Sequence, residues 1–332
     1  MAGGPSTPAL AAAVSNAGGL GFLAGGYKTP DVLEADIRRT RRLTGNAFGV
    51  NLFVPDSANT AAAGTAGNLA AALAYRDRLA REYSEDLLPL PDPRDEDGWD
   101  AKLALVQQLQ VPVVSFTFGL PAPETIAALH AVDLAVAVTV TSGAEASLAA
   151  AAGARILCLQ GPDAGGHRGS FDAAAEPSVH PLPDLVRDVR AELGADTALI
   201  AAGGIGTPED AAAVRSAGAD AVQIGTALLL APEAGTSAVH RAALADPRFT
   251  ETALTRAFSG RTARGLANAF MAAYPEAPAA YPLVNQITRT IRARAAAAGD
   301  PHGVSLWAGT GYPSARAEPA AAAVQRLGSS PG

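Results

Sequence analysis

The feature that most restricts the fold of this chain is an alternation of short apolar run, glycine-rich or polar turn, and helical stretch. The runs cover residues 20–24, 48–54, 111–119, 134–141, 156–159, 198–202 and 221–224. They are largely apolar, as strands are when both faces of a sheet are covered, and strands separated by helices form βα units with a parallel sheet. Composition agrees: 48% of residues are hydrophobic and only 17% are charged, below the usual quarter. The runs give seven strands, whereas a closed (βα)₈ barrel needs eight. The fold expected is therefore α/β, a TIM (βα)₈-type barrel lacking its first strand, with a small appended α/β subdomain.

Within 332 residues the pattern divides as follows. Residues 1–231 and 301–320 are expected to form the barrel, 232–300 a small substrate or cap subdomain, and 321–332 a frayed tail. The segment 56–100, Ala-rich and then acidic with Pro89, Pro91 and Pro93, reads as a helix followed by an irregular lid. Ser6 or Thr7 caps a first helix, Ser142 and Glu145 make a capping box, and Thr207 caps another helix. Gly19, Gly21 and Ala24 imitate a dinucleotide fingerprint, but here the helix precedes the strand, the reverse of that motif. A net charge of −7 with 5% aromatic residues argues against a nucleic-acid surface. No apolar run approaches the roughly 20 residues of a membrane helix. The N-terminus lacks the positive region of a signal peptide, and a cytoplasmic protein is expected. The single cysteine, Cys158, fits a reducing compartment and lies in an apolar strand, where it reads as a core residue.

Chemistry concentrates in the turns that follow the strands, which in a βα-barrel form the functional face. After the run 156–159 come Gln160, Gly161, Gly165, Gly166, His167, Arg168 and Gly169. Glycines let backbone N–H groups approach a flat or anionic ligand, and an imidazole among them is a candidate acid or base. The turns Gly203-Gly204 and Gly225-Thr226 follow the last two strands, the usual phosphate site of such a barrel. A phosphorylated cofactor anchored there would extend over Asn51, Gln160, Gly165, Gly166 and His167. Those groups suit the pyrimidine edge of a flavin. There is neither a carboxylate pair nor a Cys/His cluster, so no metal site is expected. His130, His180, His240 and His302 read as structural or solvent-facing. Tyr274, Tyr281 and Trp307 are equally suited to roofing a flavin and to packing.

The stretches MAGGPSTPALAAAVSNAGGLG, GVNLFVP, LQGPDAGGHRG, AAGGIGTPED, VQIGTALL, AFSGRTARG and SLWAGTG run from residue 1 to about residue 311, and in them the chain resembles the class I nitronate monooxygenases. These are FMN-dependent TIM-barrel enzymes that oxidise alkyl nitronates, such as propionate 3-nitronate, with O2 to a carbonyl compound and nitrite, without a metal. The resemblance implies that Asn51, Gln160, Gly165, Gly204, Gln223, Ile224, Gly225 and Thr226 contact FMN, with Met1 near the ring, and that His167 is the catalytic residue. It also places Ser259 and Arg261 near the cofactor. The partners implied are a small anionic substrate and O2, with a homodimer left open. Arg168 or a protonated His167 would orient the anion, and His167 would be the base for a neutral nitroalkane. Two departures stand out: Asp163 replaces the family's glutamate, and the family has a strand before the opening motif. Either a true start upstream of Met1 or another segment closing the barrel is expected. The alternatives are a related FMN-dependent NAD(P)H reductase of the enoyl-ACP or quinone type, and a non-catalytic barrel. A phosphosugar isomerase is weaker for want of an acid/base pair.

Overall fold

The computed structural model describes residues 1–58 and 69–328. Among these described residues ten strands occur in chain order: β1 (Gly21–Ala24), β2 (Phe48–Phe53), β3 (Val113–Thr117), β4 (Ala135–Val140), β5 (Ile156–Gln160), β6 (Gly166–His167), β7 (Ala198–Ala202), β8 (Ala221–Gln223), β9 (Thr252–Thr255) and β10 (Ala263–Leu266). Seven of them form one curled parallel sheet in the order β1-β2-β3-β4-β5-β7-β8, a TIM-type barrel short of one strand. The seven strands are those of the apolar runs. On one face of these strands Val50, Leu52, Val114, Phe116, Val138, Leu157, Leu159 and Leu199 lie in one core, while the alternate positions, Asn51, Ser115, Thr117, Thr139, Cys158 and Gln160 among them, line a cavity inside the barrel. Helices cover the core face and the other face turns into the barrel, so the strands read as largely apolar runs with a few polar residues.

Helices Pro30–Leu43, Trp99–Gln108, Pro123–His130, Gly143–Ala151, Leu182–Leu193 and Pro208–Ser216 fill the connections of the large sheet. Thr207 and Asp210 form a complete capping box at the last of these. At Ser142 only half of the expected box forms: Ser142 accepts from Glu145 N. The Glu145 carboxylate instead accepts from Thr141 N at 2.6 Å and from Phe171 N at 2.8 Å, which ties the end of the long turn after β5 to the barrel. Thr7, one of the two expected caps, accepts from Leu10 N and opens helix Pro8–Asn16.

Among the described residues β1 and β8 are the outer strands of the large sheet and do not pair with each other. Helix Pro8–Asn16 packs against β1 so closely that a Cβ on Gly21 would lie 1.9 Å from Ala11 O. Leu10 of that helix shares a small core with Leu228, Ala231, Ala320 and Ala323. The tail expected to fray from residue 321 is therefore corrected: Ala320–Gly328 is a helix with Ala320, Ala323 and Leu327 buried. Its three-to-four-residue apolar spacing gives it a face that an end-of-chain reading overlooked. The remainder of that tail, 329–332, lies outside the described residues, as do 59–68 of the expected helix-and-lid segment. No helix of the described residues is long and apolar enough to cross a membrane.

Region 232–300 and the crossover before helix Trp99–Gln108 share a second core. Ala72, Tyr75, Leu79 and Leu88 meet Phe258, Phe270, Tyr274, Val284, Ile287 and Ile291. A three-stranded sheet, β6-β10-β9, joins this region to the barrel. Its edge strand β6 is the pair Gly166–His167, in register with Ala263 and Arg264 of β10.

Candidate active site

A cavity of about 1420 Å³ lies inside the barrel, lined by strand ends and by the outer strands β1 and β8. Met1, Asn51, Gln160, Gly165, Gly166, His167, Gly203, Gly204, Gln223, Ile224, Gly225 and Thr226 all line it. The parallel register explains the convergence: Asn51 stands level with Ser115, and Gln160 with Ala202, so the residues that follow each strand arrive at one level.

The polar groups of the strand ends are ordered by one another. Asn51 Oδ1 accepts from Ser115 Oγ at 2.8 Å and from Thr117 Oγ1 at 2.9 Å. That leaves its Nδ2 group without a partner among the described residues, and an amide donor facing the cavity. Thr117 Oγ1 and Thr139 Oγ1 are 3.2 Å apart. Gln160 is differently placed. Its Nε2 donates to His167 O at 2.9 Å and its Oε1 accepts from Gly169 N at 2.8 Å, so its amide braces the loop that carries His167. Gln223 accepts from Cys158 Sγ at 3.6 Å. The Cys158 thiol is buried and pushed up to about 12 by loss of solvation, which keeps it unionised and inert.

The two glycine turns form a cradle. Gly203 and Gly204 have φ of +114° and +73°, conformations that favour glycine. A Cβ on Gly203 would meet Ala164 at 2.9 Å, and one on Gly204 would meet Asp163 at 3.0 Å, so this turn is locked against the loop after β5. A Cβ on Gly166 would meet nothing within 4 Å, and one on Gly225 only Met1 at 3.7 Å; both leave room for a ligand. Backbone N–H groups of Gly203, Gly204, Gly225 and Thr226 find no acceptor among the described residues. Thr226 Oγ1 accepts from Gly309 N at 2.9 Å, which leaves its hydrogen to donate. A group of donors without acceptors at strand ends is chemically suited to an oxyanion.

Opposite the cradle stands His167. Phe118, Tyr281 and Trp307 surround its ring at centroid distances of 5.7, 5.9 and 5.3 Å, and its Nε2 lies 2.8 Å from Ser259 Oγ. Burial, then the positive charges of Arg261 and Arg292, lower its pKa from 6.5 to about 3. The imidazole is neutral at physiological pH, which corrects the expectation of a protonated His167 holding an anion. Arg168 is corrected as well: it is 2% exposed and donates to the carbonyls of Gly161 and Gln160, inside the loop and away from the cavity.

The positive field comes from elsewhere. Arg292 lines the cavity and donates to Asn285 O, Asn285 Oδ1 and Thr288 Oγ1. Arg261 is buried beneath Phe118, its guanidinium 4.3 Å from that ring and donating to Ser170 O at 2.7 Å. Among the described residues Arg168, Arg261 and Arg292 form no ion pair. Arg261 and Arg292 both bring positive charge to His167, a field that favours an anionic ligand.

Sequence reasoning missed Ser259's contact with His167, the wall formed by Phe118, the outer ring Tyr27, and Arg292. Tyr27 and Phe118 carry φ of +64° and +78°, uncommon for side chains of that size. Asp97 Oδ1 holds Tyr27 through its backbone N–H at 2.9 Å, and Tyr281 Oη donates to Tyr27 Oη at 3.2 Å. Ser115, Thr117 and Thr139 were visible as polar residues within apolar runs, the same signal that singled out Asn51. Of the three aromatic candidates Tyr281 and Trp307 line the site or its wall, whereas Tyr274 is buried among Tyr75 and Phe270. His240, read as structural or solvent-facing, lines the cavity at 7% exposure with Nε2 unpartnered. Burial lowers its pKa to about 4. No group of His, Cys, Asp and Glu among the described residues could hold a metal.

Comparison with known proteins places this geometry. The family model described as nitronate monooxygenase matches residues 1–327. A nitronate monooxygenase of Pseudomonas aeruginosa is 39% identical over 339 residues, covering 98% of this chain and 92% of that protein. A probable nitronate monooxygenase of Staphylococcus aureus is 35% identical over 314 residues, covering 92% and 85%. Among solved structures, a nitroalkane oxidase from Streptomyces ansochromogenes superposes with a TM-score of 0.89 at 46% identity, covering 99% of this chain and 92% of that one. FabK from Thermotoga maritima superposes at 0.73 with 26% identity, covering 98% and 89%.

Proposed function

This chain belongs to the nitronate monooxygenase family, and from that premise we propose that it oxidises alkyl nitronates with O2 to a carbonyl compound and nitrite, using FMN. The observation that carries the reading is the pairing of two groups across one cavity. Unpartnered N–H donors of Gly203, Gly204, Gly225 and Thr226 suit the phosphate of a mononucleotide, and His167 with Arg292 faces the space beyond. Asn51 Nδ2, ordered by Ser115 and Thr117, and the backbone at Gly165 and Gly166 suit the polar edge of the ring, while Gln223, Ile224 and Met1 line the rest. A bound flavin supplies the electron relay between nitronate and dioxygen.

The remaining roles belong to the chain. Arg292 and the buried Arg261 attract the nitronate anion. Phe118, Tyr281 and Trp307 exclude water around it. His167 is the proposed catalytic residue. It stays neutral, and when a neutral nitroalkane is presented it accepts the α-proton. A nitronate arrives already ionised and needs no such step. Region 232–300 is read as the cap that supplies substrate contacts. The lone buried cysteine is consistent with a cytoplasmic setting. An NAD(P)H-dependent reductase is less supported, because the family match and the curated relatives are nitronate monooxygenases. The test is direct: purify the protein, release and identify any flavin, and measure O2 uptake and nitrite formation on adding an alkyl nitronate. A yellow protein that yields FMN and nitronate-dependent nitrite is expected. A colourless protein that takes up no FMN would remove the reading.

A further inference from the structure

We propose that Ser259 is a positioning residue that fixes the tautomer of His167, with hydrogen on Nε2 and the Nδ1 lone pair turned to the cavity. The inference rests on the role proposed for His167 and adds which nitrogen acts and what selects it.

The assignment follows from hydrogen-bond satisfaction around one hydroxyl. Ser259 is 1% exposed and Arg261 2%. Three contacts meet at Ser259 Oγ: His167 Nε2 at 2.8 Å, Arg261 N at 3.3 Å and Arg261 O at 3.1 Å. The Arg261 N–H can only donate to that oxygen. The Arg261 carbonyl can only accept, and among the described residues it has no donor besides the Ser259 hydroxyl. A buried carbonyl left without a donor is costly. The single hydroxyl hydrogen therefore goes to Arg261 O, and both lone pairs of Oγ are left to accept, one from Arg261 N–H and one from His167. Nε2 must then carry the hydrogen, and neutral imidazole has only one. Nδ1 has no partner among the described residues. It is also not among their sealed, unpartnered buried atoms, so it retains access to the cavity that His167 lines.

The Ser259 side chain has little freedom to choose otherwise. Ser259 N and Gly260 N both donate to Arg256 O, at 3.1 and 2.8 Å. Gly260 has φ of +80°, and a Cβ there would meet Ala280 at 2.6 Å. The imidazole is held from the other side by its own strand: His167 is in register with Ala263, and Arg168 N donates to Thr262 O at 2.8 Å. The turn 258–261 and the loop after β5 thus keep a fixed spacing.

The tautomer has a chemical consequence. An Nδ1 lone pair accepts a proton; it cannot donate to an anion. When a neutral nitroalkane sits against it, the α C–H bond breaks and its electron pair remains on the substrate as the nitronate. The proton moves to Nδ1, and the Nε2–H bond to Ser259 is kept throughout. The network therefore matters for neutral nitroalkanes far more than for nitronates supplied ready-made.

The experiment uses the holoenzyme with ¹⁵N-labelled histidine, and His167→Asn identifies the His167 signals by their loss. At pH 7 long-range ¹H–¹⁵N spectra are expected to show a protonated Nε2 and an unprotonated Nδ1. In Ser259→Ala the two nitrogens should shift towards a tautomer mixture, and Ser259→Thr should restore the single form. Kinetically, Ser259→Ala should lower kcat on a neutral nitroalkane by on the order of 10-fold or more beyond any loss on the corresponding nitronate, within the range of general-base effects. A wild-type spectrum with hydrogen on Nδ1 would overturn the proposal, and that spectrum requires no variant to fold. Equal losses on both substrates, or an unchanged tautomer in Ser259→Ala, would also overturn it. Failure of the wild type to oxidise any nitronate would instead strike the proposed function, leaving the tautomer result to stand separately.

Discussion

His167 sits where burial and two nearby arginines keep its imidazole uncharged, and that sets what substitution and pH should do. His167→Asn keeps a polar group of similar size, so FMN should stay bound. Turnover of neutral nitroalkanes should fall by about 10²–10⁴-fold, the usual worth of a positioned base; unchanged turnover would remove His167 from the chemistry. Arg292→Met should raise KM for an anionic nitronate by roughly 10–100-fold with a smaller effect on kcat, the scale of one charged hydrogen bond. pH acts through folding too. His167 and His240 have folded pKa values of about 3 and about 4 against an ordinary 6.5. Between those values the unfolded chain binds more protons, so this stabilisation is complete above about pH 6.5 and is lost as pH falls towards 3. Urea midpoints between pH 4 and 7 should therefore fall less steeply in His240→Gln than in the parent. Parallel curves would contradict the buried neutral state. At this scale the sequence was readable where residue type alone carries meaning: the glycines and the imidazole in one short loop. It was not readable for Ser259, which meets His167 from 92 residues away, or for Phe118 and Arg292, whose roles depend on how remote elements meet.

Strands and caps were the most legible elements, because the parallel strands of a sheet wrapped by helices write themselves as largely apolar runs. The two-residue strand β6 was not legible. It exists only because β10 offers it a partner, and no local pattern encodes that. Turn geometry gives the sharpest element-level test. Gly203→Ala adds a Cβ 2.9 Å from Ala164 at a φ of +114°, and should destabilise the fold by about 1–3 kcal/mol while weakening FMN binding. Gly45→Ala, where the Cβ would meet nothing within 4 Å, is the control and should change neither. Equal FMN affinity in the two variants, measured by flavin fluorescence titration, would argue that the 203–204 turn is not part of the cradle. Glu145 shows the limit of motif reading: it lies at the right spacing for a capping box, yet its carboxylate serves Thr141 and Phe171. Tertiary position decides between two partners that spacing alone cannot separate.

Across the whole molecule the barrel provides the cradle and the inserted segments provide the wall around the imidazole. Ser259 follows β9, Tyr281 and Arg292 lie further along the same region, and Tyr27 comes from the barrel's own rim. The second core fixes these parts relative to one another through side chains as distant as Leu79 and Ile287. Leu79 is fully buried there, so Leu79→Ala should cost about 2–5 kcal/mol and loosen the wall without touching the cradle. The sequence could not show that residues 72–88 and 257–291 pack as one body, since that contact spans most of the chain. The central claim is that this assembly passes electrons from a nitronate to a flavin held by the two glycine turns. Anaerobic mixing of the yellow holoenzyme, followed at the flavin absorbance, tests it most directly. Rapid bleaching by an alkyl nitronate, with none by NADH or NADPH, is the result expected; bleaching by a nicotinamide and not by the nitronate would contradict it.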